Sequence, residues 1–140
     1  RLLPQTELVI VTTPQLSAQK VATRVADMAK RSFIPLLGVV ENMSYFESGD
    51  GNKYNIFGKG GGDELSEKFG IPLLSKIPIS EDSIEESENG TPILLQNNKT
   101  PTKEAMQDLV NTIIKVLPPV SDETCTGRLA KVLEELEVEA

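Results

Sequence analysis

Polar side chains gather at three places where short apolar runs stop: Thr12-Thr13-Pro14, Glu41-Asn42-Met43-Ser44 and Pro78-Ile79-Ser80. In an open parallel sheet such strand ends converge on one edge, and ligands bind beyond it. At Asn42 the carboxamide donates and accepts at once, which matches the amino group and ring nitrogen of adenine. An asparagine after a strand also serves as a turn residue, because it tolerates left-handed backbone and bonds its own chain. The residues alone leave both readings open.

The run Gly58-Lys59-Gly60-Gly61-Gly62-Asp63 looks superficially like a phosphate loop. A Walker A needs Gly-Lys followed by Ser or Thr at a helix start. Here Lys59 precedes the glycines, and Asp63 stands at the expected helix N-terminus, where a carboxylate repels phosphate and satisfies free N–H groups. The sequence holds no other phosphate loop, so no catalytic residue, γ-phosphate contact or Mg²⁺ ligand is assigned. With no histidine and one cysteine, Cys125, it also lacks the donors of a conventional zinc site.

These loops need a scaffold. Residues 8–11 (Leu-Val-Ile-Val) form a continuous apolar run, the pattern of a strand buried on both faces. Thr13 and Pro14 fit the N-cap and first position of a helix. Its apolar stripe is Ala18, Val21, Ala22, Val25, Met28 and Ala29. A second buried run covers 36–40, a helix covers about 63–69 with Gly70 closing it, and a third run covers 71–77. Strand–helix–strand–helix–strand order implies an α/β fold, a parallel sheet with helices on both faces. Ser80 can cap a short acidic helix ending near Asn89-Gly90, and Thr100-Pro101 opens a long helix to Leu117.

Between the second strand and the glycines, Tyr45-Phe46 and Tyr54 to Phe57 flank a Gly/Asp/Asn turn, which predicts a hairpin. Its aromatics either face a partner or cover the core.

The chain has 140 residues, 39% hydrophobic and 25% charged, which suits one globular core. Its net charge of −7 argues against direct nucleic-acid binding. No apolar stretch reaches the roughly 20 residues needed to span a bilayer. A lone cysteine and no signal peptide fit a cytoplasmic location. Residues 120–140 read as an acidic amphipathic helical tail, a poor ligand for anionic membrane. Arg1 stands just before a buried strand, so the expectation is a fragment, with residues 1–119 half of a larger domain.

The motifs Val9 to Gln15 (VIVTTPQ), Gly38 to Phe46 (GVVENMSYF), Ile56 to Gly62 (IFGKGGG), Ile71-Pro72-Leu73-Leu74 through Ile77-Pro78, and Gly90-Thr91-Pro92 occur in order. In this the chain resembles the Mrp/ApbC family of MinD/ParA-like P-loop ATPases, implicated in iron–sulfur cluster carrying and often labelled chromosome-partitioning ATPases. The resemblance covers about residues 2–117. It implies a partial P-loop NTPase domain whose upstream half carries the deviant Walker A and the switch aspartates. It implies an adenine edge formed by Asn42, Pro78 and Ile79, with Glu81 a weaker candidate, and Thr12 and Thr13 near the nucleotide and dimer interface. It further implies ATP and Mg²⁺ as cofactors of a homodimeric full-length ATPase serving iron–sulfur apo-proteins, with this half inactive alone.

One departure matters. Many family members carry Cys-x-x-Cys between the Asn-Met-Ser and Phe-Gly-x-Gly-Gly-Gly motifs. Here Glu47-Ser48-Gly49-Asp50 stand there, hard ligands in place of soft thiolates, which speaks against a cluster on this hairpin. The family motifs nonetheless make iron–sulfur carrying or assembly the expected function. The alternative is a ParA/MinD-like ATP-switched partitioning or scaffold protein, bound to another protein partner. As a stand-alone module, the chain would expose an unpaired sheet edge and would associate, swap elements or be partly disordered around 45–62.

Overall fold

The computed structural model describes residues 6–80, 90, 92–95 and 99–117. Three strands, β1 (Leu8–Thr12), β2 (Leu36–Glu41) and, later in the chain, β5 (Leu73–Lys76), form a parallel sheet in the order β1-β2-β5. Helix α1 (Leu16–Arg31) joins the first two strands, and α2 (Gly61–Phe69) leads into the third. Between β2 and α2 lies a hairpin, β3 (Phe46–Glu47) antiparallel to β4 (Lys53–Tyr54). A 3₁₀ turn at Ile93–Leu95 precedes α3 (Pro101–Val116).

Helices do cover both faces. Ile10, Val39 and Leu65 pack with Ala22 and Ala26 into one core, so α1 and α2 lie on one side. Ser75, in register with Val40 on the other side, donates to the Ala105 carbonyl of α3 at 3.3 Å. Central strand β2 is buried from Leu37 through Glu41, as a strand covered on both faces must be. The expectation for β1 fails at one residue: Val11 is 62% exposed. As an edge strand, β1 has a side that no described helix reaches.

Helix α1 also differs from its predicted stripe. Its buried residues are Gln19, Ala22, Ala26 and Ala29, whereas Val21, Val25 and Met28 are exposed. Alanines let the helix axis approach the sheet closely, and Val21 and Val25 turn toward the open side of β1. The helix starts at Leu16 with Gln15 as an N-cap that makes no side-chain bond, so Thr13-Pro14 is not its cap. Buried Gln19 instead donates Nε2–H to the Pro14 carbonyl at 2.9 Å, holding Pro14 in a bend ahead of the helix.

Two capping expectations hold. Gly70 closes α2 in the left-handed region at φ 65°, and Thr100 Oγ1 accepts from Lys103 N–H at 3.2 Å ahead of Pro101. The third strand is shorter than predicted, because Pro72 limits its pairing near the start. The acidic helix expected after Ser80 and the tail 120–140 lie outside the described residues.

Candidate functional site

The three strand-end loops meet on one edge, tied by backbone bonds. Asn42 N–H donates to the Thr12 carbonyl at 2.7 Å, Ile77 N–H to Glu41 O at 2.8 Å, and Ser44 N–H to Ile77 O at 2.9 Å. Further along, Ile79 N–H donates to Tyr45 O at 2.8 Å, and Thr102 Oγ1–H donates to the Pro78 carbonyl at 3.2 Å. Parallel pairing on both sides of β2 explains the convergence, since all three strands end at the same level.

Asn42 Oδ1 accepts from Met43 N–H at 2.9 Å. This local bond is the turn role of asparagine, and it coexists with a carboxamide at the groove rim. Met43 sits in the left-handed region at φ 54°, rare for a residue with a side chain, and is 44% exposed.

Thr12, Thr13 and Asn42 line an open groove of about 390 Å³ whose remaining wall is apolar, including Val9, Val11, Val21 and Val25. Thr12 is buried, and its hydroxyl donates to the Thr13 carbonyl at 3.2 Å. Thr13 Oγ1 is buried without a hydrogen-bond partner among the described residues. A buried hydroxyl without a partner carries a desolvation cost, so it calls for an explanation. Pro78 and Ile79 share the edge but do not line this groove; they join it through Ser44, Tyr45 and Ile77. Glu81 lies outside the described residues.

The glycine-rich run has a different job from phosphate binding. Helix α2 starts at Gly61, and the carboxylate at its N-terminus belongs to Glu41, not Asp63. Glu41 Oε2 accepts Gly62 N–H at 2.5 Å, and Oε1 accepts the Ser44 hydroxyl at 2.5 Å. Glu41 is 1% exposed. Asp63 instead pairs with Lys76 at 2.7 Å on the surface. A Cβ on Gly61 would lie 2.5 Å from Gln19 Nε2, and one on Gly62 would lie 2.8 Å from Glu41 Cβ. The glycines are there for close approach of α2 to the strand ends.

Glu41 and Gln19 were not singled out from the sequence. The available signal was an acid closing the apolar run 36–40, since a buried carboxylate must find donors.

The hairpin tip is closed on itself. Asp50 accepts from the Ser48 hydroxyl, from Asn52 N–H at 3.2 Å and from Asn52 Nδ2 at 2.6 Å. These bonds, Ser48 first, hold its carboxyl below the ordinary aspartate value. Glu47 pairs with Lys53 at 3.7 Å, and Lys53 lies 4.4 Å from the Tyr45 ring centroid. Among the described residues, no group of three or more His, Cys, Asp or Glu side chains is arranged to hold a metal ion. This donor set does not fit a thiolate-held cluster. No helix of the described residues is long and apolar enough to cross a membrane.

A parallel sheet layered by helices, with its loops meeting at the carboxyl edge, is the architecture of MinD/ParA-like P-loop ATPases. The cell-division ATPase MinD of Pyrococcus furiosus superposes at TM-score 0.59 over 79% of this chain and 43% of that one, at 22% identity, a likeness of fold alone. The chain belongs to the ParA family, matched over residues 1–114 by the model described as NUBPL iron-transfer P-loop NTPase.

Similar proteins include iron–sulfur cluster carrier proteins of Pyrococcus abyssi (41% identity, 78% of this chain, 37% of that protein) and Pyrococcus horikoshii (39% identity, 82% and 39%). The nucleotide-binding protein of Archaeoglobus fulgidus, solved in complex with ADP, superposes at TM-score 0.51 with 38% identity over 59% of this chain and 34% of that one. The chain thus spans less than two fifths of the length of these relatives.

Proposed function

We propose that this chain is the carboxyl-terminal part of an ATP-binding, ATP-hydrolysing carrier of iron–sulfur clusters, and that it supplies the edge on which the adenine rests. The observation that carries the reading is the pairing of the Asn42 carboxamide with an orphaned Thr13 hydroxyl on one open groove, the turn being pinned to both neighbouring strand ends. Asn42 would read the base, Pro78 and Ile79 would form its further rim, and Thr12 and Thr13 would lie toward the nucleotide and a second subunit. Glu81 remains assigned only through the resemblance. The family resemblance assigns the phosphate cradle and the Mg²⁺ ligands to the upstream part of the protein. Residues 1–119 are then half of a domain and 120–140 an appendage, in a homodimer serving iron–sulfur apo-proteins.

Calorimetric titration of the complete protein tests this. Asn42→Ala should weaken ATP binding about tenfold, the worth of one or two hydrogen bonds, and leave GTP binding within about twofold. Equal binding of ATP by variant and parent defeats the assignment.

A second reading is favoured by the hairpin. Where relatives of the Mrp/ApbC type carry thiols, Glu47 and Asp50 are engaged with Lys53, Ser48 and Asn52. An ATP-switched partitioning or scaffold protein needs no cluster there. Anaerobic reconstitution with iron and sulfide, followed by iron counting, separates the two: ATP-responsive dimers without iron select the scaffold.

A further inference from the structure

The Asn42–Met43 turn is held in an unfavourable backbone geometry, so something must over-determine it. Asn42 N–H is fixed to Thr12 and Ser44 N–H to Ile77, yet neither bond dictates the left-handed backbone of Met43 between them. Two side-chain bonds add to these: Asn42 Oδ1 accepts Met43 N–H at 2.9 Å inside the turn, and the Glu41 carboxylate braces the turn from outside. Glu41 immediately precedes the turn, and its Oε1 accepts the hydroxyl of Ser44, which immediately follows it. Its Oε2 accepts Gly62 N–H, which anchors that carboxylate to the first turn of α2. Glu41 is buried, so it touches no ligand.

We propose that Glu41 is a positioning residue of the purine edge: one carboxylate ties Ser44 to Gly62 and so holds in place the turn that displays the Asn42 carboxamide, itself bonded through Oδ1 to Met43 N–H. The assignment rests on the purine reading of Asn42 and goes beyond it by naming the group that makes the reading geometrically possible. A buried acceptor with two short, charge-assisted bonds is rigid, and rigidity in a supporting residue is what orients a specificity group. The same bonds explain the glycine at 62, where a Cβ would lie 2.8 Å from Glu41 Cβ and 3.2 Å from its Oε2.

The test uses the complete protein and titrates ATP and GTP separately. Glu41→Gln keeps an acceptor for Gly62 N–H and a donor for the Ser44 oxygen, so its preference for ATP over GTP should stay within about twofold of the parent. Glu41→Leu fills the space without either bond and should lose ATP affinity about tenfold, with GTP affinity within about twofold. A merely structural fault lowers both nucleotides together, and that result overturns the assignment, as does no loss at all or an equal loss in Glu41→Gln. Should Glu41→Leu not fold, Ser44→Ala removes only the Oε1 bond and should cut the ATP preference about threefold; an unchanged preference overturns it. Asn42→Ala run alongside distinguishes the failures. If it keeps the parent's ATP preference, the purine reading falls and takes this proposal with it; if it loses the preference while Glu41→Leu does not, only Glu41 is misassigned.

Discussion

Glu41 and Gly62 stand 21 residues apart in the chain and 2.5 Å apart in space, a buried carboxylate oxygen facing the amide of a helix's second residue. An anion belongs at a helix N-terminus, where free N–H groups and the helix dipole both favour it. Here the protein supplies its own. Segment 45–61, hairpin included, is closed at its base by this one side chain, because Ser44 and Gly62 bracket it.

Gly62→Ala is expected to destabilise the fold despite the better helix propensity of alanine. The added Cβ would lie 2.8 Å from Glu41 Cβ and 2.9 Å from Leu73 Cδ1. Overpacking of this kind costs about 1–3 kcal/mol, read as a shift of the urea midpoint at constant slope.

Met43→Gly should act in the opposite direction. Glycine adopts φ 54° without the penalty a Cβ brings. Relief of about 1 kcal/mol is expected, measured as a higher denaturation midpoint of the unliganded protein.

Thr13→Val separates stability from binding. Removing a buried oxygen without a partner should stabilise the unliganded protein by up to about 1 kcal/mol. The same variant should bind ATP several-fold more weakly, checked by melting curves and titration on one preparation.

The hairpin tip carries a pH dependence whose sign follows from Asp50. Its carboxyl is depressed in the folded chain, first by the Ser48 hydroxyl and then by Asn52, relative to an ordinary value of 3.8. The turn is therefore tightest above that value and loosens as pH falls through the depressed one. Amide exchange at Gly51 and Asn52, followed by NMR across the acid range, should rise on acidification. Asp50→Ala should abolish the pH response.

Val11→Lys on the open side of β1 should change the melting temperature little, since the residue is 62% exposed. It should reduce self-association of the isolated chain in sedimentation experiments, because a lysine on an edge strand discourages pairing.

Order of elements and layer arrangement were legible because the runs 8–11, 36–40 and 71–77 are short, rich in aliphatic residues and separated by segments of helical spacing. Caps at Gly70 and Thr100 follow from local chemistry and came out as expected. Thr13-Pro14 carries an equally good local signal, yet Gln19, five residues on, captures the Pro14 carbonyl and delays the helix. The buried stripe of α1 was misread for a related reason. Valines and Met28 carry more apolar surface than alanines, but close packing on the sheet selects Ala22, Ala26 and Ala29. At the site, Asn42 was visible as a polar residue ending a strand. Glu41 was not, because its partners Ser44 and Gly62 are joined only by the fold, and asparagine-style spacing rules say nothing of a bond across 21 positions.

Segment 45–61 is tied to the strand ends at its base and along its first arm, where Tyr45 and Phe46 meet Ile79, whereas its tip is bonded within itself. Residues 48–52 bond chiefly with one another and with the hairpin's own arms, not with the groove. A lineage can therefore replace the tip, trading thiols for carboxylates or the reverse, without re-engineering the floor beneath it. The chemistry of the tip and the geometry of the strand ends are then separately adjustable parts of one short stretch of polypeptide.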